Sequence, residues 1–430
     1  MQEHEYEDSW QARSASVLYQ GGFRPHDPAF ETVFVSAKSS TLIDVNGVEW
    51  IDLVCGYGAL NFGHSNATLT QVATSKLQEM AHIGAAASIH SVILAEALVT
   101  RLQAHQEQCV VFNSSGARAI ETAWKAAASY RSGKILALSP ALHGRSIATA
   151  ALSETSKTVL SSFFSSQVHL WPLEKYPTGE LRYDQLIASE IADYLQRKRD
   201  RVSAVLLEPA LTARGYVFPC AEFFQAIRKA TAELGILLVA DEIQTGLGRC
   251  AKFLLSAEQG WQADLTVLGK SLGGGLFPIS AVVGRKDILR KLPSGVESET
   301  FAGMPAAAAV GAEVLRMLEQ DGHFEKGCEI ARLLSNALQK ALGHDAQIQI
   351  RAASCVIEFA IGDRSIETAQ EWARDFIGLC GECYLRVQWS GAQKTRIVLL
   401  PALTMRDDEL KTCIERLSSV SASLLQRRVC

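Results

Sequence analysis

No run of about 18 apolar residues occurs anywhere in this chain, so no membrane-spanning helix is expected. The first residues, MQEHEYEDSWQAR, are acidic and carry no apolar core, which does not fit a secretory signal. Charge of one sign is also lacking. With 42 basic against 46 acidic residues the net charge is only -4, which gives neither nucleic acid nor an anionic membrane an electrostatic handle. The ten cysteines read as scattered singly, with no CxxC pair and no metal-ligand spacing, so no metal site is expected. In a chain of this length they are expected as reduced, mostly buried thiols in a cytoplasmic protein. Internal repeats and low-complexity tracts are missing too.

What remains is ordinary globular composition over 430 residues, long enough for two or three lobes. Between about residues 113 and 284, short apolar runs alternate with longer amphipathic stretches. Cys109–Phe112, Lys134–Ser139, Ala204–Leu207, Ile236–Ala240 and Leu265–Leu268 read as buried strands. Arg118–Tyr130, Tyr183–Arg199 and Glu222–Leu234 read as helices between them. Uninterrupted apolar strands separated by helices predict an α/β fold, a mostly parallel sheet covered on both faces. After Ala307 the pattern shifts to helices over Ala307–Leu318 and Phe324–Leu342, strands at Cys355–Phe359 and Arg396–Leu400, and a last helix from Asp407. That predicts a smaller α+β lobe. Near the start, Thr41–Asp44 and Gly47–Asp52 flank a VNG turn and predict a hairpin, which packs on the C-terminal lobe or on a partner subunit.

Three stretches carry the candidate chemistry. Leu238–Gly246 (LVADEIQTG) is an apolar strand ending in two carboxylates and a turn. Ligands of open α/β sheets bind at the carboxyl ends of strands. An Asp there can hold a protonated ring nitrogen, a cation or a metal, and it can equally be a loop carboxylate or helix cap. Leu268–Gly275 (LGKSLGGG) ends a second apolar strand in one lysine, Lys270, followed by three glycines. Small neighbours let that amine approach a flat molecule. A lysine able to form a Schiff base, paired with a carboxylate able to keep a pyridine nitrogen protonated, is what pyridoxal-5′-phosphate (PLP) chemistry requires. Phe112–Ala119 (FNSSGARA) passes from strand to helix through Ser and Gly, as phosphate sites do and as plain Ser caps do. A weaker fourth element, Thr300–Pro305 (TFAGMP), precedes an Ala-rich helix.

Together and in this order the four elements resemble the class III (ornithine/ω-amino acid type) aminotransferases. The likeness runs from about Thr41 to Leu318 and is sharpest at Glu208-Pro209, at DEIQTGLGR over Asp241–Arg249, and at Lys270, 29 residues after Asp241. It implies the fold-type I PLP-dependent transferase architecture: an N-terminal segment over residues 1–60, a large PLP-binding domain over 61–310 and a small C-terminal domain over 311–430. It also implies that Lys270 is the Schiff-base lysine and that Asp241 holds the pyridine nitrogen. Gln244 would lie near the phenolic oxygen, and Ile243 would pack on a ring face. Ser115, Gly116 and Ala117 would cradle the phosphate, with Glu208 beside the site. Thr300 would reach the phosphate of a partner subunit, which implies a homodimer. Tyr57, within YGALN, would lie on the substrate side.

Several positions depart from the family pattern. Arg118 stands where members usually carry Glu, and Leu142, before His143-Gly144-Arg145, stands where an aromatic ring usually stacks on the cofactor. The Glu and Arg that let the family's site accept both dicarboxylates and ω-amino substrates fall on Ala213 and Val398. Arg396, on the same strand face as Val398, and Arg214 are the candidate replacements for a substrate carboxylate. The expected activity is transfer of an amino group between a small-molecule donor and a keto acid or aldehyde of a specialised kind. Racemisation, epimerisation or decarboxylation on the same fold is the alternative, which the missing pair favours. A binding or scaffold protein on a degenerate fold is a third reading, and intact Lys270 and Asp241 weigh against it.

Overall fold

The computed structural model describes residues 9–18, 31–102, 107–153, 160–173, 180–319, 322–391 and 393–429. The chain divides into two compact units. Ala67–Phe324 forms one, and Met1–Asn66 joins Glu325–Cys430 in the other.

In the Ala67–Phe324 unit two helices, α1 (Ala67–Glu79) and α2 (Ile89–Leu102), lead into the sheet. There follow β1 (Gln108–Asn113), α3 (Gly116–Tyr130), β2 (Lys134–Ser139), β3 (Val168–Pro172), α4 (Leu181–Arg197) and β4 (Val202–Leu207). The rest is α5 (Ala221–Leu234), β5 (Leu237–Asp241), β6 (Leu265–Leu268), β7 (Ser280–Arg285) and α6 (Pro305–Leu318). The seven strands lie in the order β1-β7-β6-β5-β4-β2-β3. All pairings are parallel except those of β7, which is antiparallel to both β1 and β6.

Strand residues alternate between two cores, which is why the strands read as unbroken apolar runs. On one face Ile135, Ala137, Ala204, Leu206, Val239 and Val267 pack with Ala119, Ile120 and Ala123 of α3. On the other, Leu136, Leu138, Val205, Leu207 and Leu238 meet Ile187, Ile191 and Leu195 of α4 and Phe223, Phe224 and Ile227 of α5. Each such large side chain contributes about 1.5–3 kcal/mol of burial. The sheet and helices expected from the sequence are therefore present, with ends moved by one or two residues. Two strands of this sheet escaped the sequence reading, β3 and β7. β3 carries His169 and ends in Pro172, so its apolar run is broken, and β7 follows its neighbour without the intervening helix that marks the others.

The other unit holds the hairpin, as strands Thr41–Asp44 and Glu49–Asp52, paired with Phe34–Lys38 on one side and Leu385–Arg386 on the other. The turn is fixed by the Asp44 carboxylate, which accepts Asn46 N, Val48 N and Trp50 Nε1 at 2.8, 2.9 and 3.1 Å. Gly47 supplies the left-handed backbone there, φ +79°. A second, antiparallel sheet orders Gln347–Arg351, Ser354–Glu358, Arg396–Leu399 and Gln388–Ser390. Its apolar face packs with the helices His323–Leu342, Ile366–Glu382 and Asp407–Val429. The scattered-cysteine expectation needs one correction: Cys380 and Cys383 stand three apart at the end of Ile366–Glu382, and both are free thiols.

Candidate active site

Parallel strands place the residues that follow them at one edge. Asp241 ends β5, Lys270 lies two residues past β6, Glu208 directly follows β4, and His143 lies four residues past β2. Asn113, at the end of β1, is level with Ser280 at the start of antiparallel β7. The carboxyl edge of the sheet thus gathers five segments that are far apart in sequence.

Asp241 is 4% exposed. Its Oδ1 accepts Ile243 N at 3.1 Å, and its Oδ2 meets His143 Nδ1 at 2.7 Å. Burial alone would lower the His143 pKa, but the Asp241 hydrogen bond and charge, with the Glu208 charge, raise it above the ordinary histidine value. The far ring nitrogen, His143 Nε2, is buried with no hydrogen-bond partner among the described residues. Glu208 accepts Leu142 N at 3.1 Å and the Thr212 hydroxyl, while burial and the neighbouring Asp241 charge push its pKa up. Lys270 begins a short 3-10 turn with a left-handed backbone, φ +40°, a conformation costing a β-carbon residue on the order of 1 kcal/mol. Desolvation, with Arg249 adding to it, lowers its amine to about 8 against the pull of Asp241 and Glu208. A lysine near neutrality is available as a nucleophile and as a proton carrier at ordinary pH.

The strand-to-helix turn after β1 is open where an anion would sit. Ser115 caps α3, its Oγ accepting Arg118 N at 3.4 Å. The amides of Gly116 and Ala117, the first two of the helix, have no acceptor among the described residues. Ser280 Oγ donates to Ser115 O at 2.8 Å and holds the turn on the sheet. A β-carbon on Gly116 would come within 2.9 Å of Ile243 Cδ1, so the turn and the Ile243 side chain meet closely. The Gln244 amide is buried beside the Tyr216 hydroxyl. Open amides beside Ser115, a His143 nitrogen with no partner among the described residues, the buried Gln244 amide, a carboxylate at a strand end and a low-pKa lysine are together the set of groups that a phosphorylated pyridine aldehyde would use.

The remaining expected residues each have surroundings of their own. Thr300 is exposed, and its carbonyl accepts His82 Nε2 at 2.6 Å. Tyr57 belongs to the other unit, in a turn where Cys55, Gly56, Tyr57 and Gly58 all have positive φ, and is 43% exposed. Arg396 forms an ion pair with Glu358 on the neighbouring strand, and Val398 is buried. Arg214 donates to Leu173 O at 3.1 Å. The Ala213 side chain lies outside the described residues.

Several residues here were not singled out from sequence. Arg249, only 1% exposed, was part of the quoted DEIQTGLGR stretch but had no role assigned to it. Ser280 opens a strand that went unmarked. Glu299 accepts Ser114 N at 3.0 Å and Ser114 Oγ at 2.6 Å across 185 residues of sequence, a distance over which no local pattern exists.

Comparison with known proteins extends the same picture over nearly the whole chain. The sequence profile of the family described as "Aminotransferase class-III" matches residues 23–420. The chain is 31% identical to an acetylornithine aminotransferase of Mycobacterium tuberculosis over 343 residues, 79% of this chain and 81% of that protein. It is 31% identical to the 5-aminovalerate aminotransferase DavT of Pseudomonas aeruginosa over 315 residues, covering 71% and 72%. Its fold matches an ornithine aminotransferase of Toxoplasma gondii with PLP in partial occupancy at the active site, with TM-score 0.81, 20% identity and full coverage of both chains.

Proposed function

Because the chain belongs to the class III aminotransferase family, and is therefore a PLP-dependent aminotransferase, we propose that its donor is a molecule with a terminal primary amine and that its site is completed in a homodimer. Acetylornithine and 5-aminovalerate, which name the relatives above, each end in such an amine. The observation that carries the residue assignment is the single sheet edge at which Asp241, His143, Glu208, Lys270 and the α3 turn converge.

Bound PLP supplies an aldehyde for the donor amine and a ring that withdraws electrons from the carbon being deprotonated. Lys270 would hold the cofactor through its Nζ, and its depressed pKa would let the same amine take up and release a proton near neutral pH. Asp241, backed by His143, would keep the ring nitrogen protonated. Gly116 and Ala117 amides with Ser115 would bind the phosphate, Ile243 would pack on the ring, Gln244 would donate to the phenolic oxygen, and Leu142 stands where the family stacks an aromatic. Glu208 orders Leu142 and Thr212 beside the ring. By the resemblance, Tyr57 and Arg396 are the candidate substrate-side residues. Arg396 is held by Glu358, so a carboxylate must displace Glu358 to use it; a donor lacking a carboxylate at that end does not.

The homodimer is supported by an exposed apolar stripe. Ile89, Val92 and Ile93 of α2 sit at helical spacing and are 69, 45 and 45% exposed, and Phe301, beside Thr300, is 60% exposed. A second copy covering such a surface could bring its Thr300 to the phosphate. The setting that goes with this reading is the cytoplasm.

The test is a half-reaction without acceptor. Adding 5-aminovalerate or N-acetylornithine to the holoenzyme is expected to convert the bound cofactor from its aldehyde to its amine form, faster than glutamate does. Conversion by glutamate alone would overturn the donor assignment. Release of carbon dioxide, or inversion of the donor with no amine form accumulating, would instead favour the decarboxylase or racemase alternative.

A further inference from the structure

The turn that opens to phosphate is flanked by charges. Glu299 gathers four donors: Ser114 N at 3.0 Å, Ser114 Oγ at 2.6 Å, Asn113 Nδ2 at 2.8 Å and Arg118 Nε at 3.1 Å. Arg118, one turn into α3, also reaches Glu121 at 2.8 Å and Glu297 at 3.6 Å. Glu297 further takes Lys125 and the Thr122 hydroxyl. Two cations therefore face three carboxylates within the first turns of α3. The anion-favouring helix start is shared: Glu299 uses Ser114, while the amides of Gly116 and Ala117, two and three residues on, stay open.

We propose that Arg118 and Glu299 form an electrostatic pair that sets how tightly the adjoining turn holds the cofactor phosphate. The inference rests on the assignment of Ser115, Gly116 and Ala117 to that phosphate. A dianion arriving beside Ser114 meets the negative charge of Glu299 a few ångströms away. Arg118 cancels that charge by direct contact. Without Arg118, three carboxylates would confront the phosphate with only Lys125 in compensation. Without Glu299, Arg118 would be left with spare positive charge facing the turn, and Ser114 would regain its own N–H and O–H. The two residues thus act in opposite directions on the same equilibrium. Burial would raise the Glu299 pKa, yet the Ser114 and Asn113 hydrogen bonds and the Arg118 charge hold it below the ordinary carboxylate range, so it stays charged when phosphate binds. This also accounts for an arginine at a position where a glutamate would add a fourth negative charge.

The experiment measures dissociation constants of the apoenzyme for PLP and for pyridoxal, which lacks the phosphate, together with competition by inorganic phosphate. Arg118→Gln is expected to weaken PLP and inorganic phosphate by about tenfold, the size of one uncompensated charge at partly solvated range. Glu299→Gln is expected to tighten both severalfold, and the double variant to return close to wild type. Pyridoxal should be indifferent to all three, and Arg118→Lys should restore most of the loss. A parallel change for pyridoxal and PLP, or weaker PLP binding in Glu299→Gln, would overturn the proposal and leave the pair a structural brace. Equal affinity of the wild-type protein for PLP and pyridoxal would instead remove the phosphate assignment beneath it.

Discussion

At the ends of β4, β5 and β2, Glu208, Asp241 and His143 are 4, 4 and 2% exposed, while at the start of α3 the side chains of Arg118, Glu121 and Lys125 keep between a fifth and a third of their surface in water. Both regions are charge clusters, and both belong to one site. In the first, desolvation is the leading influence on His143, Glu208 and Lys270, and a few charges at close range decide which protonation state survives. In the second, desolvation also leads on Arg118 and Glu299, but Arg118, Glu121 and Lys125 still reach water, so screening weakens their pairs and the charges act mainly by their sum. On the proposed assignment, the ring end of the cofactor, where protons move, would sit among charges whose states are held firmly. The phosphate end, where no bond changes, would sit among charges that adjust affinity. The predictions below test whether this division holds.

The largest effect belongs to the buried end. Lys270→Ala removes the only amine at the sheet edge close to Asp241 and Glu208 among the described residues. Covalent cofactor attachment and turnover should both be lost, to background. Borohydride reduction of the native holoenzyme, followed by peptide mapping, checks the position. A label on another lysine would dissolve the buried region as the reactive one.

Asp241→Asn keeps the size and removes the charge. Activity should fall roughly 10²–10³-fold, as when a preorganised electrostatic partner is lost. The same variant should change the pH dependence of folding. In the wild type His143 has a raised pKa, so its stabilisation is full below roughly pH 6.5 and is lost as pH rises through the folded value. Without Asp241, burial dominates and depresses His143, so the contribution changes sign. Denaturant unfolding of the apoprotein between about pH 6 and 8, read as the difference between the two proteins, should show opposite slopes. Parallel slopes would mean that His143 is not governed by Asp241.

Next in size is the titration of Lys270. With its amine lowered to about 8, the nucleophilic form becomes dominant near that pH, far below the usual lysine range. The rate at which apoenzyme takes up PLP covalently should therefore rise with a midpoint close to pH 8. In Asp241→Asn the midpoint should move down, because the anion that favours the charged amine is gone. A midpoint near 10, measured by stopped-flow absorbance, would place Lys270 in contact with water and erase the contrast with the α3 cluster.

How much of this could be read from the sequence follows from the same contrast. Apolar runs that end in Asp241 and beside Lys270 are local signals, and the strand register of Ala240 with Thr266 and Asp241 with Val267 turns them directly into neighbours. The Ser115–Ala117 turn was equally local. What escaped depends on contacts between distant segments or on strands that lack the common pattern. Glu299 meets Ser114 only after the sheet has formed, and Ser280 faces Asn113 because β7 runs against its neighbours. Arg249 becomes legible once its burial is known, since an isolated arginine in sequence reads as surface.

The smallest effect expected is on the stability of the exposed end. Arg118 touches three carboxylates, yet its side chain is 33% exposed, and its partners Glu121, Glu297 and Glu299 are 19, 9 and 14% exposed. Pairs of this kind contribute little after screening and side-chain ordering are counted. Arg118→Gln should thus alter apoprotein stability by less than about 1 kcal/mol. The partly covered Glu297 keeps Lys125 and Thr122, and Glu299 keeps Ser114 and Asn113, so neither carboxylate is stranded. The residual effect should shrink further as salt is raised from about 0.1 to 1 M, where the Debye length falls from roughly 10 to 3 Å. Thermal or urea unfolding of the apoprotein at both salt levels makes the measurement. A loss of several kcal/mol that persists at high salt would show that Arg118 is held as firmly as Asp241. The α3 cluster would then be a second buried charge site rather than a screened one.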